Sequence, residues 1–230
     1  MGQHFLPGNP PVELSLRRSS RARRISLRVS SLDGRVTLTL PLGVREKEAL
    51  AFAAGKEAWL RKHLAKRTAD VPISHGVEMP IEGVPRLVVP GQERRIILAE
   101  DRIEVPGPAE RVGPRVAAWL KLLARDRLIE ASDRYAAELG RPYTRMSLRD
   151  TRSRWGSCSA QGRLMYSWRL ILAPPETLGY VAAHEVAHLQ EMNHSPAFWS
   201  IVADLCPDYE TQRLWLRHEG TSLHRYRFGN

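Results

Sequence analysis

Cysteine is scarce in this chain. Two thiols, Cys158 and Cys206, among 230 residues do not make a disulfide framework, and they show no metal-ligand spacing with each other. The simpler reading is a reduced, cytoplasmic protein. No apolar run reaches the 18 or so residues that a membrane helix needs, so no membrane partner is expected. The first residues, MGQHFLPGNPP, lack an apolar stretch of the kind found in a secretory signal, and Leu6 stands where a myristoylation pattern needs Ser or Thr. Aromatic residues make up 7%, and none interrupts the RRSSRARR run at 17–24. A surface that stacks single-stranded bases would need them. No glycine-rich phosphate loop, internal repeat or low-complexity tract is present.

The composition that remains is that of a folded protein: 43% hydrophobic and 26% charged, long enough for one large domain or two small ones. The formal charge is +10, and residues 1–70 hold fourteen Lys/Arg against six Asp/Glu. Such a bias attracts nucleic acid or another polyanion, although a solvated basic face is the plainer reading. Alternating apolar residues (Ile25, Leu27, Val29, then Val36, Leu38, Leu40) around Asp33-Gly34 predict a β-hairpin. Leu50, Ala53, Ala54, Leu60 and Leu64 predict one helix over 45–67. Short strands follow near 85–89, 94–98 and 102–105. The segment PGPAERVGP at 106–114 suggests a boundary, dividing a basic β-rich N-terminal domain (1–106) from a second domain (107–230). A long helix begins at Pro114 and stops at Gly140. Strands near 144–150 and 163–172 lead to a helix that starts at Pro174-Pro175-Glu176 and runs to about 191. Ser195-Pro196 caps the next helix, and a last one covers about 208–219. The fold class is α+β.

The chemistry concentrates in His184-Glu185-Val186-Ala187-His188. Residues i and i+4 share one helical face, so two imidazoles so placed can ligate one zinc ion. Glu185 lies beside that face, where a carboxylate can take a proton from a metal-activated water. His194, six residues beyond His188, is the best third ligand, with Glu191 and the acidic cluster Asp204, Asp208 and Glu210 as rivals. Its spacing equals that of metzincins, but Glu191 stands where those proteins have a glycine. The chain must therefore turn otherwise, with Asn193 as the candidate. Three protein ligands would leave the fourth position open, as in catalytic zinc sites. Tyr166, Tyr180 and Tyr209 are candidates to stabilise an oxyanion, and Phe198 and Trp199 are expected to pack beneath the metal.

RWGSCS at 154–159 followed by APPETLGYVAAHEVAHLQEMNHSPAFW at 173–199 resembles the YgjP-like metallopeptidases, a family similar to SprT-like proteases and minigluzincins. The resemblance implies a zincin-like fold, in which an active-site helix lies under a small mixed sheet. It also implies one zinc ion on His184, His188 and His194, catalysis by Glu185, and a peptide or protein substrate. In such a fold an edge strand lies above the active-site helix, and residues 163–172 are read as that strand. Arg154, Tyr166 and Trp168 are the candidate substrate-binding residues. Two other readings stay open: a metal-dependent nucleotide pyrophosphatase, and a nucleic-acid-binding module with a structural zinc.

Overall fold

The computed structural model describes residues 3–30, 34–65 and 69–229. The chain forms two compact units, residues 1–69 and 70–230.

The first unit contains four strands, β1 (Gln3–Leu6), β2 (Val12–Ser19), β3 (Ser26–Val29) and β4 (Val36–Pro41), in the order β1-β2-β4-β3. Strand β4 lies between its predecessors, parallel to β2 and antiparallel to β3. The expected pairing of 25–29 with 36–40 is therefore present, while Asp33 of the expected turn lies outside the described residues. Period-two patterning sends Val12, Leu14, Val36, Leu38 and Leu40 to one face, where they share a core with Ala49, Ala53 and Leu60. Those last three come from two helices, α1 (Glu46–Ala54) and α2 (Glu57–Ala65). The single helix expected over 45–67 is broken at Gly55-Lys56. Gly55 ends the first helix by donating its N–H to the Ala51 carbonyl.

The second unit opens with β5 (Val71–Pro72), then β6 (Glu78–Ile81), β7 (Val84–Pro90), β8 (Ile97–Leu98) and β9 (Arg102–Val105). Strands β6 to β9 form one sheet in the order β6-β7-β9-β8. The long helix α3 (Val112–Leu139) follows and ends at Gly140, whose φ of 66° is the left-handed value that glycine tolerates. The sequence-derived boundary at 106/107 falls inside this unit. Met79, Ile81, Val88, Ile103 and Val105 of the small sheet share one core with Val112, Val116 and Leu120 of α3, so cutting there would expose both sides. The sheet is also tied by backbone to residues 168–172, with Glu82 N–H to Ile171 O at 2.7 Å and Gly83 N–H to Leu172 O at 3.3 Å.

Three further strands form a sheet of their own: β10 (Arg145–Arg149), β11 (Gly156–Cys158) and β12 (Arg163–Ser167), in the order β10-β12-β11. The strand expected over 163–172 ends at Ser167, and 168–172 is a 3-10 turn with every residue buried. Three helices follow, α4 (Pro175–Ala187), α5 (Pro196–Leu205) and α6 (Tyr209–Glu219). Ser195 Oγ caps α5 by accepting the Phe198 N–H at 3.3 Å. A final strand, β13 (Tyr226–Arg227), pairs in parallel with β5. The unit's first and last segments are thereby joined, and Gly113 makes room for them: a Cβ there would lie 2.8 Å from the Phe228 carbonyl oxygen. The α+β architecture, with a helix under a small mixed sheet, is consistent with a zincin-like fold.

An ion pair between the buried Arg169 and the half-exposed Asp150 anchors the C-terminal segment. Arg169 holds Asp150 with Nε–Oδ1 at 2.7 Å and donates Nη1 to the carbonyls of Leu223 and Tyr226. Burial raises the Asp150 carboxyl, but its bonds to Arg169 outweigh that, and the net shift is downward. Beside them His224 is buried with its ring 5.1 Å from that of Trp155. Burial and then the Arg169 charge push its pKa down to about 4. A histidine depressed in the fold binds its proton first in the unfolded chain. Its share of stability is thus whole above about pH 6.5 and is lost as pH falls toward about 4. Thermal melts from pH 7 to 4 should show that loss, and His224→Phe should make the slope shallower by on the order of 2 kcal/mol across the window. An unchanged slope in His224→Phe would show that this ring does not titrate as described.

Candidate metal centre

Helix α4 is buried almost all round. From Thr177 to Ala187 every residue except His184 is shielded, because the helix packs against α3, α5, α6 and β11. A helix apolar on all sides is held by its neighbours and has little freedom to shift. It begins with Pro175 in its first turn and Glu176 facing the positive end of its dipole. It ends at Ala187, earlier than the sequence suggested, so His188 sits at the C-cap, still one turn from His184.

The chain then turns tightly. Gln190 and Glu191 both donate N–H to the Ala187 carbonyl, at 3.1 and 3.0 Å. Asn193 does not adopt the left-handed conformation expected of it: among the described residues Glu82 is the non-glycine position with positive φ. Instead Asn193 donates its N–H to the Glu191 carboxylate at 3.3 Å, and the turn needs no glycine.

That turn returns His194 to the other two histidines. One ring nitrogen from each of His184, His188 and His194 lies within 4.8 Å of the others, and Nε2 of His184 is 3.1 Å from Nε2 of His194. Glu191, Asp204, Asp208 and Glu210 are not part of this group. His188 Nδ1 lies 3.0 Å from the Glu191 carbonyl; as donor in that bond it leaves Nε2 with a free lone pair. Burial, followed by the neighbouring His188 and His194, pushes the His184 pKa down to about 3, and burial also lowers His188. Both rings are neutral near pH 7, as metal ligation requires. Three converging imidazole nitrogens with at least one tautomer fixed fit a tetrahedral metal ion that keeps a fourth position open.

Phe198 forms the floor. It is fully buried, stacked on His188 at 4.5 Å and edge-on to His184 and His194 at 4.9 and 4.8 Å. Trp199 flanks His184 and His194 at 5.7 and 5.9 Å. Arg213 on α6 lies 4.4 Å over the Trp199 ring, and its charge reaches His184. No sequence pattern singled out Arg213.

The RWGSCS segment acquires a role that the sequence did not disclose. Glu185 packs against β11, where a Cβ on Gly156 would lie 2.5 Å from Glu185 Oε1. Only the missing side chain lets the carboxylate lie there. Burial raises the Glu185 carboxyl to about 8, opposed by the Arg154 charge and by the Cys158 N–H that it accepts. Arg154 itself is exposed. Cys158 is a thiol raised by burial to about 11, and no disulfide joins it to Cys206.

Two of the substrate-binding assignments are corrected. Tyr166 is wholly buried and bonds Ser132 Oγ at 3.1 Å, and Trp168 is 3% exposed. Both lie in the core, Tyr166 on β12, the middle strand of its sheet, and Trp168 in the 3-10 turn that follows it. The free edge nearest α4 belongs to β11. Ser167 N–H bonds Trp155 O and Ser159 N–H bonds Arg163 O, so Ser157 pairs inward with Met165. Gly156 and Cys158 therefore turn their backbone groups outward. Of the three tyrosines, Tyr180 is the one whose ring lies beside His184, at 6.0 Å.

The profile of the YgjP-like, metallopeptidase domain matches residues 23–219, which include the histidine cluster and β11. The chain belongs to this family. A YgjP-like metallopeptidase is a metal-dependent peptidase, with a peptide or protein as substrate. The crystal structure of the metallopeptidase zymogen of Pyrococcus abyssi abylysin is similar over 40% of this chain and 92% of its own, at 20% identity and a TM-score of 0.36. No curated protein matches the chain. No helix is long and apolar enough to cross a membrane among the described residues.

Gly156→Ala tests the contact between β11 and Glu185. Peptidase activity should fall by roughly tenfold or more, since a displacement of about 1 Å at a catalytic group is costly, with metal content unchanged. Full activity in that variant would dissociate Gly156 from the placement of the carboxylate.

Proposed function

We propose that this protein hydrolyses peptide bonds with a single zinc ion held by His184, His188 and His194 and with Glu185 as general base. The observation that carries the proposal is the pairing of a three-histidine cluster, in which burial holds His184 and His188 neutral, with a buried carboxylate of raised proton affinity on the same helix. Zinc bound there would act as a Lewis acid on water and on the scissile carbonyl, bringing a hydrolytic water into reach at neutral pH.

The chain's own groups supply the rest. Glu185 accepts a proton from the attacking water at its carboxylate. The water oxygen bonds to the carbonyl carbon, the C–N bond breaks, and Glu185 returns the proton to the departing amine nitrogen. Burial favours the neutral acid, while Arg154 and the Cys158 N–H favour the carboxylate. The group thus holds and releases a proton within the range where the reaction runs. A bound cation would act in the same sense as Arg154. A substrate in extended conformation would add to the outer edge of β11 by main-chain hydrogen bonds with Gly156 and the Cys158 carbonyl. Tyr180 would face the carbonyl oxygen as charge develops on it.

Glu185→Gln should lower kcat/KM on casein or an unstructured peptide by about 100- to 10,000-fold, while zinc remains at one ion per chain by elemental analysis. Equal activity of wild type and Glu185→Gln would remove the general base from this role. Glu185-dependent hydrolysis of nucleoside triphosphates with no action on casein would replace the peptidase reading. Separately, His194→Ala should lose at least tenfold in zinc affinity; unchanged zinc content would exclude His194 as a ligand.

A further inference from the structure

Nearly all of the protein's charge sits in the smaller unit. Residues 1–69 contain fourteen Lys/Arg against five Asp/Glu, a formal +9 of the chain's +10. The unit that carries the histidines is close to neutral. Within the small unit the charge is again divided. Glu46, Glu48 and Glu57 lie on the helices, which cover the apolar face of the sheet. Between residues 14 and 45 the sequence has one acid, Asp33, and eight arginines.

The strand register shows where several of them point. The inward set on β2, β4 and β3 is Leu14, Leu16, Val36, Leu38, Leu27 and Val29. Alternation therefore puts Ser15, Arg17, Thr37, Thr39, Ser26 and Arg28 on the opposite face. The pairings arrange them in two rows, Arg17–Thr39–Ser26 and Ser15–Thr37–Arg28. Arg21, Arg23 and Arg24, in the connection from β2 to β3, are exposed beyond the end of those rows. Arg17, Arg21, Arg23, Arg24 and Arg28 form no hydrogen bond or ion pair with another described residue. By contrast Arg18, on the inward side, donates to the carbonyls of Leu42 and Val44, and Arg61 is bonded to Glu57. The arginines of the polar face are thus left for solvent or a ligand, interleaved with hydroxyls.

Guanidinium and hydroxyl groups in rows are the donors that bind nucleic-acid phosphates. Neither row contains an aromatic ring; Phe5, on the far edge strand, lies opposite Glu13. A single-strand surface stacks bases on such rings. The segment 17–24 also has no apolar side chain larger than alanine to insert into a bilayer. We infer that the polar face of this sheet, with the 20–25 connection, binds the phosphate backbone of duplex nucleic acid without reading its sequence. The inference does not depend on the peptidase reading.

Fluorescence anisotropy with the full-length protein and two unrelated DNA duplexes of about 30 base pairs tests it. Both duplexes should bind alike. With about four or five phosphates neutralised, log K against log salt should have a slope near −4, a loss of roughly 200-fold between about 50 and 200 mM. Replacing Arg17, Arg23, Arg24 and Arg28 by Gln should weaken binding at least tenfold at low salt and flatten the slope toward −1. The melting temperature should not change, because these side chains are exposed and unpaired. Lys47→Gln with Lys62→Gln, on the helices, should change the slope by less than about 1. No binding at low salt, a slope near zero, or wild-type binding by the four-arginine variant would each overturn the inference. So would preference for a single strand of equal length, or binding to vesicles containing about 30% phosphatidylserine with none to duplex.

Discussion

A carboxylate taken out of water must find hydrogen bonds or give up its charge. Glu185 meets that constraint by lying against the backbone of β11, and much of the second unit follows from the arrangement. The strand must come close enough for the Cys158 N–H to reach the carboxylate, which requires Gly156. The helix must not rotate, which requires packing on every side, and α4 is accordingly buried from Thr177 onward except at His184. The three-stranded sheet must leave β11 at its edge. One buried acid thus links the strand, the helix and the outward-facing main chain that an extended substrate would meet.

The histidine cluster is built by a second device. His184 and His188 are placed by helical periodicity, but His194 is placed by a turn held by main-chain bonds and by the two faces of Glu191. Its carbonyl accepts from His188, and its carboxylate accepts from Asn193 N–H. Glu191 therefore fixes one ring and shapes the turn that delivers another. Phe198 completes the arrangement from α5, touching all three rings at once. Such a floor sets ring orientation through packing and excludes water from beneath.

Local features were legible in the sequence because their causes are local. The HExxH face, the Ser195 cap, the Gly140 stop and the β3–β4 pairing depend on residues within a turn or a hairpin. Features set by distant partners were not. Nothing in LMYSWRLIL distinguishes an edge strand from a central one, since both alternate or run apolar. The identity of β11 as the edge depends on which strands take the positions beside β12. The break at Gly55-Lys56 was hidden by apolar residues that kept helical spacing across it. Segment 106–114 resembles a linker in composition, yet the strands before it lend their apolar faces to α3, and that shared core is invisible until both are placed. Gly156 carries no local signal of its role, because the atom it leaves space for lies twenty-nine positions away in the chain.

The parallel pairing of β5 with β13 has a consequence for modularity. A fold whose first and last strands are hydrogen-bonded neighbours is topologically a closed ring with one nick. It can be spliced into another chain, or reopened elsewhere, while the continuity of its core is preserved.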